Sequence, residues 1–154
     1  MVHYKTWLKT LSGFLLQVQI EQLVHQQENA IRNKDIEAAM DQYSPDILSF
    51  DVVNSLQKTG LDECRKRLQD WLAQFPEAIT YEVENLSVVA SEALAYCTSI
   101  NHVNGITKAG TTINMRWRAT VCYQKKDDQW LIIHEHSSVP FDPKSGQALM
   151  DLEP

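Results

Sequence analysis

Residues 118–140 read "RATVCYQKKDDQWLIIHEHSSVP" and predict two β-strands joined by a charged turn. β-Branched and aromatic residues recur on both sides of the turn, and such residues favour pleated strands. A link as short as "KKDD" allows only antiparallel pairing of the strands that it joins. The stretch therefore predicts a β-hairpin, which Pro140 closes because proline cannot donate to a strand ladder.

The residues before and around this hairpin predict further strands and three helices. Apolar and polar residues alternate in four long segments, which predicts strands at 79–89, 92–103, 111–124 and 130–139. Helical spacing and a β-rich stretch precede them, which predicts helices at 18–31, 36–43 and 60–75 and a strand pair at 47–53 and 56–60. This order indicates an α+β fold, in which a curved antiparallel four-stranded meander plus a small strand pair wraps round three helices. Such a sheet leaves a conical hollow at its open end, where ligand pockets form.

The composition limits the classes of partner. A chain of 154 residues with 44% hydrophobic content can bury one sizeable core. Its formal charge of −6 gives no general attraction for nucleic acid or anionic membranes. Three well-separated cysteines indicate reduced thiols in a cytoplasmic protein, and no cofactor is expected.

Three regions are predicted along the chain. Residues 1–17 form an N-terminal extension that is partly helical, breaks at Gly13 and is too short to span a bilayer. Residues 18–141 form the domain. Residues 142–154 form a polar tail, which is expected to be extended or loosely ordered.

The final hairpin resembles a pattern of the nuclear transport factor 2-like (cystatin-like cone) superfamily. Within that superfamily, roughly residues 18–141 are similar to SnoaL-like proteins and to the association domain of calcium/calmodulin-dependent kinase II. Four residues in and after the last strand carry the resemblance: Trp130, His134, His136 and Pro140. It implies a cone fold and self-association, as a homodimer or higher oligomer, through the outer face of the sheet.

The segment 43–60, "YSPDILSFDVVNSLQKTG", is similar to the part of ketosteroid isomerase that carries its general base. The resemblance places Asp51 on the catalytic aspartate and implies proton transfer next to a carbonyl, in an isomerase- or cyclase-like reaction. That enzyme also has two oxyanion donors, which correspond here to Gln27 and Thr120. Because losing one such donor costs about 10²–10³ in rate, the loss of both argues against steroid isomerisation.

A set of candidate ligand-binding residues surrounds Asp51 in this prediction. Gln27, Tyr43 and Glu135 would orient a substrate, while Trp117 and Ser137 would lie at the hollow. The alternative for Asp51 is a strand-end carboxylate that caps or pairs locally. On the third helix, "RKR" at 65–67 is assigned to the solvated face and Trp71 to the core.

His134 and His136 lie two positions apart on a strand, so their side chains share a face about 6.6 Å apart. Two imidazoles could hold zinc together with His102 or Cys122, but nothing in the sequence brings those residues near, and no metal is predicted. An outer interface suits the polar and aromatic mixture on this face better. The predicted dimer interface contains Arg116, Arg118, Thr120, Trp130, His134 and His136.

The direction of these side chains depends on strict alternation along the last strand. Alternation turns Leu131 and Ile133 towards the helices and Ile132 outwards, together with the histidines. It also turns Glu135 and Ser137 inwards, to the pocket mouth. A β-bulge near either of these two residues would instead bring one histidine into the hollow.

Two functions are consistent with these features. The first is a homodimeric cone-fold protein whose pocket takes a small organic ligand, with proton-transfer isomerase or cyclase chemistry as the candidate reaction. The second is a non-enzymatic association module related to the kinase association domain. Fold alone does not separate them.

Overall fold

The computed structural model describes the backbone of residues 2–154 and the side chains of residues 11–154. The helices are α1 (Val2–Arg32), α2 (Ile36–Met40) and α3 (Leu61–Leu72). The strands are β1 (Tyr43–Phe50), β2 (Lys58–Thr59), β3 (Thr80–Ala90), β4 (Leu94–Ile106), β5 (Thr112–Lys126) and β6 (Gln129–Ser138). No described helix is both long and apolar enough to cross a membrane.

Helix α1 runs without interruption through Gly13, so the predicted break is wrong. Apart from the backbone of the helix itself, no atom of the described residues lies within 4 Å of the position that a Cβ would take there, so this glycine does not mark a close approach. One glycine in a helix costs only about 1 kcal/mol relative to alanine, which a long helix tolerates. The predicted extension is therefore continuous with the first helix of the domain, and Met1 lies outside the described residues.

The start of each of the two shorter helices depends on the residue that precedes it. Asp35 caps α2, because its carboxylate accepts a hydrogen bond from the Ala38 N–H at 3.1 Å. This helix is shorter than predicted, since Tyr43 already belongs to β1. Helix α3 follows Gly60, whose φ of 90° is a conformation that favours glycine.

All six strands form one sheet, in the order β2-β1-β6-β5-β4-β3. Strands β3 to β6 make the antiparallel meander that the sequence predicts. The small strand pair does not stand apart, because β1 pairs with β2 on one side and, in parallel, with β6 on the other. The sheet is therefore six-stranded and mixed, and the first and last long strands of the domain are neighbours.

A β-bulge in the last strand changes the predicted alternation. The register of β5 against β6 shifts where Cys122 opposes His134 and Tyr123 opposes Ile132, which leaves Ile133 as the extra residue. Between the turn and this bulge, the residues that point inwards are those that strict alternation predicts to point outwards. Ile132 is one of them and is completely buried. The predicted outward direction of Ile132 is therefore wrong.

Trp130 lies on the same side of the bulge and is also turned inwards. Its side chain is buried, and its indole Nε1 donates a hydrogen bond to Oε1 of Gln19 in α1 at 3.3 Å. Trp130 therefore packs the sheet against α1 and does not belong to an outer interface, which corrects that part of the predicted set.

The other predicted interface residues lie beyond the bulge and keep the expected outward direction. Thr120 opposes His136 and Cys122 opposes His134 on the neighbouring strands, so the strand alternation turns these side chains to the outer face. Thr120 and His136 also border the cavity described below. The outer face also carries the other two predicted residues, Arg116 and Arg118.

The helices pack on the inner face of the sheet and make two buried clusters. One joins Ile20 and Val24 of α1 to Ile47, Tyr123 and Ile132 of the sheet. The second includes Ala30, Ile31, Leu72, Phe75 and Val103. Residues of both clusters border the cavity described below.

The C-terminal tail is more regular than the sequence predicts. Phe141 and Ala148 form a bridge, and the tail then reaches β5, where the Arg116 N–H donates to the carbonyl of Met150 at 2.7 Å. Glu153 accepts a hydrogen bond from the Arg116 guanidinium at 3.0 Å. The tail therefore lies beside the part of β5 that extends past the end of β6.

Candidate functional site

A cavity of about 190 Å³ lies between the helices and the inner face of the sheet. Side chains from α1, β1, α3 and four strands of the meander line it. All six residues that the sequence predicts for the ligand site border this cavity: Gln27, Tyr43, Asp51, Trp117, Glu135 and Ser137. The roles assigned to them stay predictions.

Glu135 is the carboxylate of the cavity that is bound only by neutral side chains among the described residues. Tyr43 donates its hydroxyl to Oε2 at 2.7 Å, and Ser49 donates its hydroxyl to Oε1 at 2.7 Å. The parallel pairing of β1 with β6 produces this arrangement, because it puts Ser49 directly opposite Glu135. Each carboxylate oxygen keeps a second lone pair that a ligand can reach.

Tyr43 is held as a hydrogen-bond donor by its surroundings. Burial, and then the charge of the neighbouring Glu135, raises the pKa of the Tyr43 hydroxyl well above its usual value. The amide Nε2 of Gln27 donates to the Tyr43 oxygen at 3.2 Å, and also to the carbonyl of Ala39 at 3.2 Å. Tyr43 is therefore protonated at neutral pH, with its proton directed at Glu135.

Asp51 borders the cavity just after the end of β1 and is bound by two cations. The Arg67 Nε donates to Oδ2 of Asp51 at 2.6 Å, and the Lys58 Nζ lies 3.4 Å from the same oxygen. The other oxygen, Oδ1, accepts the N–H of Val52 at 2.7 Å. This environment combines the two sequence interpretations of Asp51, since the carboxylate both faces the cavity and pairs locally.

Aromatic rings form one wall of the cavity. Trp71 and Trp117 meet edge to face, with ring centroids 6.4 Å apart and planes at 87°. Tyr81 packs against Trp117 at 5.9 Å between centroids. Asn101 donates to the Tyr81 hydroxyl at 3.0 Å, which satisfies that buried group. The wall is rigid and mostly apolar, which suits a flat ligand.

Cys64 also borders the cavity, and it is not a reactive thiol. Burial raises its pKa to about 11, with a smaller contribution from the charge of Glu135. Because the thiolate is the nucleophile, a thiol of this kind is unreactive near neutral pH.

Some residues of the cavity differ from the role that the sequence predicts for them. The prediction places Arg67 on the solvated face of α3 and Trp71 in the core, whereas both border the cavity. Cys64, Arg67 and Trp71 follow one another at intervals of three and four, so one helix face carries all three towards the cavity. Ser49 was not singled out, although it alternates with Ile47 and Asp51.

The histidines of β6 contact β1. His134 uses Nδ1 in a 2.8 Å hydrogen bond with the carbonyl of Leu48, and Phe50 contacts the rings of both His134 and His136 edge to face. Among residues 11–154, the acidic, histidine and cysteine side chains grouped closely enough to share an ion are Glu82, Glu84 and His102. The Arg116 guanidinium already pairs with Glu84 there, at 3.2 Å.

The profile of the SnoaL-like domain matches residues 20–142. The chain belongs to the SnoaL-like family. No protein of curated function matches this SnoaL-like chain significantly. Among solved structures, an NTF2-like protein of unknown function from Pseudomonas putida is 29% identical, with a TM-score of 0.84 over 92% of this chain and 99% of that one.

Two more distant structures share the fold of this SnoaL-like protein. The association domain of the C. elegans kinase CaMKII is 16% identical, with a TM-score of 0.66 over 82% of this chain and 98% of that one. A proposed dehydratase of the NTF2-like family from Streptomyces avermitilis is 14% identical, with a TM-score of 0.68 over 78% of this chain and 93% of that one. At these identities the likeness shows the NTF2-like, cystatin-like cone fold alone.

Proposed function

We propose that this SnoaL-like protein binds a small organic molecule in its cavity and transfers a proton next to a carbonyl group of that molecule. The observation that carries the proposal is Glu135, a carboxylate on the wall of a mostly apolar cavity, held by the hydroxyls of Tyr43 and Ser49. A positioned carboxylate of this kind is suited to general acid–base catalysis.

The proposed step uses two neighbouring groups. Glu135 takes a proton from the carbon beside the carbonyl. The electron pair of the broken C–H bond forms a C=C bond, and the π pair of the C=O bond moves onto the oxygen to give an enolate. Tyr43 then donates its hydroxyl to that oxygen, since a neutral Glu135 no longer holds the Tyr43 proton as strongly. Return of the proton from Glu135 to another carbon would complete an isomerisation.

Asp51 stays the alternative base, as the resemblance to ketosteroid isomerase implies. It borders the same cavity, but its oxygens already accept hydrogen bonds from Arg67, Lys58 and Val52. We therefore propose Glu135 as the proton acceptor and Asp51 as the group that holds Arg67 in place.

The binding part of the proposal is tested by blocking the cavity mouth. Ser137 borders the cavity, whereas Ser138 opposes Arg118 on the outer face. Small cyclic ketones and acids should quench the tryptophan fluorescence of the wild type, and Ser137→Phe should weaken their binding at least about tenfold. The matched variant Ser138→Phe should bind as the wild type does. If no compound of the panel binds the wild type, the proposal fails.

A second candidate function, association through the outer sheet face, is favoured by the apolar side chains there. Tyr96 and Val89 oppose each other on β4 and β3, and 46% and 49% of their surfaces are exposed. Exposed apolar residues grouped on one face are typical of protein interfaces. We propose a homodimer through this face, which is compatible with ligand binding on the other side of the sheet.

A charge in the middle of the outer face should break the dimer. We expect wild-type protein to be dimeric at micromolar concentration in light scattering, and Thr120→Glu to raise the dissociation constant at least about 100-fold, because burial of an unpaired charge is costly. Thr112→Glu places the same charge at the exposed start of β5 and should leave the dimer intact. A monomeric wild type, or a Thr120→Glu variant that stays dimeric, would contradict the proposed interface.

The cytoplasmic location and the lack of a nucleic-acid or membrane partner stay predictions.

A further inference from the structure

The size of the cavity suits a ligand with one ring inside it. Its volume is about 190 Å³, and an apolar cavity of about 150 Å³ accommodates benzene. One ring with one or two small substituents therefore fits between the aromatic wall and Glu135.

The charges at the cavity identify the kind of substituent. Asp51 is a single carboxylate shared by Arg67 and Lys58, whose ion-pair distances to it are 2.6 and 3.4 Å. Two cations share one anion in this cluster, and the second carboxylate of the cavity, Glu135, is bound by hydroxyls and not by either cation. Lys58 makes a further bond to the Ser55 hydroxyl at 3.2 Å. The Lys58 ammonium then has one N–H donor left, whereas Arg67 keeps the four N–H donors of its two terminal amino groups.

The remaining hydrogen-bond donors of Arg67 lie at the cavity. Its Nε is occupied by Asp51, and within residues 11–154 its two terminal amino groups make no hydrogen bond. The side chain borders the cavity and is 27% exposed, so a ligand can reach it. Two terminal amino groups of a fixed guanidinium match the two oxygens of a carboxylate.

The rest of the cavity sets the orientation of such a ligand. Glu135 would repel a second acidic group, so the ligand has its acid at Arg67 and a neutral, proton-donating part at Glu135. Trp71 stands one helical turn from Arg67 on the same face of α3, so a ring attached to the acid would lie against the aromatic wall.

We propose that the ligand is a small single-ring carboxylic acid, whose carboxylate binds the terminal amino groups of Arg67 and whose ring packs on Trp71 and Trp117. This assignment rests on the proposed binding function and adds the ligand class to it. Arg67 is then a specificity-determining residue, and its ion pair with Asp51 fixes the guanidinium before the ligand arrives.

The experiment compares benzoate with benzamide, which has the same shape and no charge, by isothermal titration and ligand-observed NMR. Wild-type protein should bind benzoate at least about tenfold more tightly than benzamide, the size of effect expected for a charge-assisted pair. Arg67→Gln should remove this preference. Lys66→Gln removes the same charge one position earlier on α3, where the side chain is 73% exposed. This variant should keep the preference for benzoate.

Arg67→Lys is a second variant, which is needed if Arg67→Gln does not fold. Lysine can keep the ion pair with Asp51. The variant should fold as the wild type does and bind benzoate with intermediate affinity, since it has a charge without the planar fork. Equal binding of benzoate and benzamide by the wild type, or a preference that survives in both Arg67 variants, would overturn the ligand class and leave the binding function standing. If neither compound nor any other single-ring compound binds the wild type, both proposals fail.

Discussion

Replacement of Glu135 by glutamine is expected to lower the proton-transfer rate by about 10²–10⁴-fold, the usual contribution of a positioned general base. Glutamine has nearly the same shape. Its amide oxygen can accept the hydrogen bond of Tyr43, and its amide N–H can donate to the Ser49 hydroxyl in place of the bond that Ser49 now donates. Glutamine cannot take up a proton at neutral pH. The variant should therefore keep its fold and its affinity for ligands while losing the reaction.

The measurement needs no natural substrate. A ring ketone that carries a carboxylate, such as 4-oxocyclohexanecarboxylate, exchanges the hydrogens beside its ketone with D₂O, and NMR follows the protein-catalysed part of this exchange. Glu135→Gln should abolish that part, and Asp51→Asn should reduce it less than about tenfold. Glu92→Gln, at an exposed turn position, is the matched control. If Asp51→Asn abolishes exchange and Glu135→Gln does not, Asp51 is the base, as the sequence resemblance implies.

The largest effect on stability is expected at Ile132. Its side chain is completely inaccessible to solvent and belongs to the cluster that joins α1 to the sheet. Ile132→Ala removes buried methyl groups and leaves a void, which should cost about 2–5 kcal/mol of the free energy of unfolding. Urea denaturation monitored by circular dichroism measures this cost.

Ile133→Ala is the matched control, because Ile133 is the extra residue of the bulge and is only partly buried. Its substitution should cost clearly less than that of Ile132. Strict alternation along β6 makes the opposite prediction, with Ile133 in the core and Ile132 outside. A larger loss of stability for Ile133→Ala would therefore show that the bulge is absent in solution.

The parts of the fold that were predictable are those set by local periodicity. Alternation and short links identify the four strands of the meander, and the spacing of apolar residues identifies the helices. The bulge was not predictable at Ile133, because Ile132 and Ile133 are chemically identical and either can enter the core. The parallel pairing of β1 with β6 was not predictable either, since no local signal connects strands so far apart in sequence.

The site was predictable in its carboxylates and less so in its cations. Gln27, Tyr43, Asp51 and Glu135 were identified through resemblance and strand direction, and all four border the cavity. Arg67 was obscured by its basic neighbours in "RKR", which read together as a solvated surface. The signal that separates Arg67 from Arg65 and Lys66 is its spacing. Arg67 lies three positions after Cys64 and four before Trp71, so these three residues share one helix face.

The parallel pairing of β1 with β6 also determines when the cavity is completed during synthesis of the chain. Ser49 and Glu135, which touch in the finished cavity, are 86 positions apart in the chain. Helices and hairpins upstream can form as they leave the ribosome, but the edge of β1 stays open until the last hairpin arrives. A nascent chain that stalls before Gln129 would therefore have most of its sheet and no working pocket, and its unpaired β1 edge would be a target for chaperones.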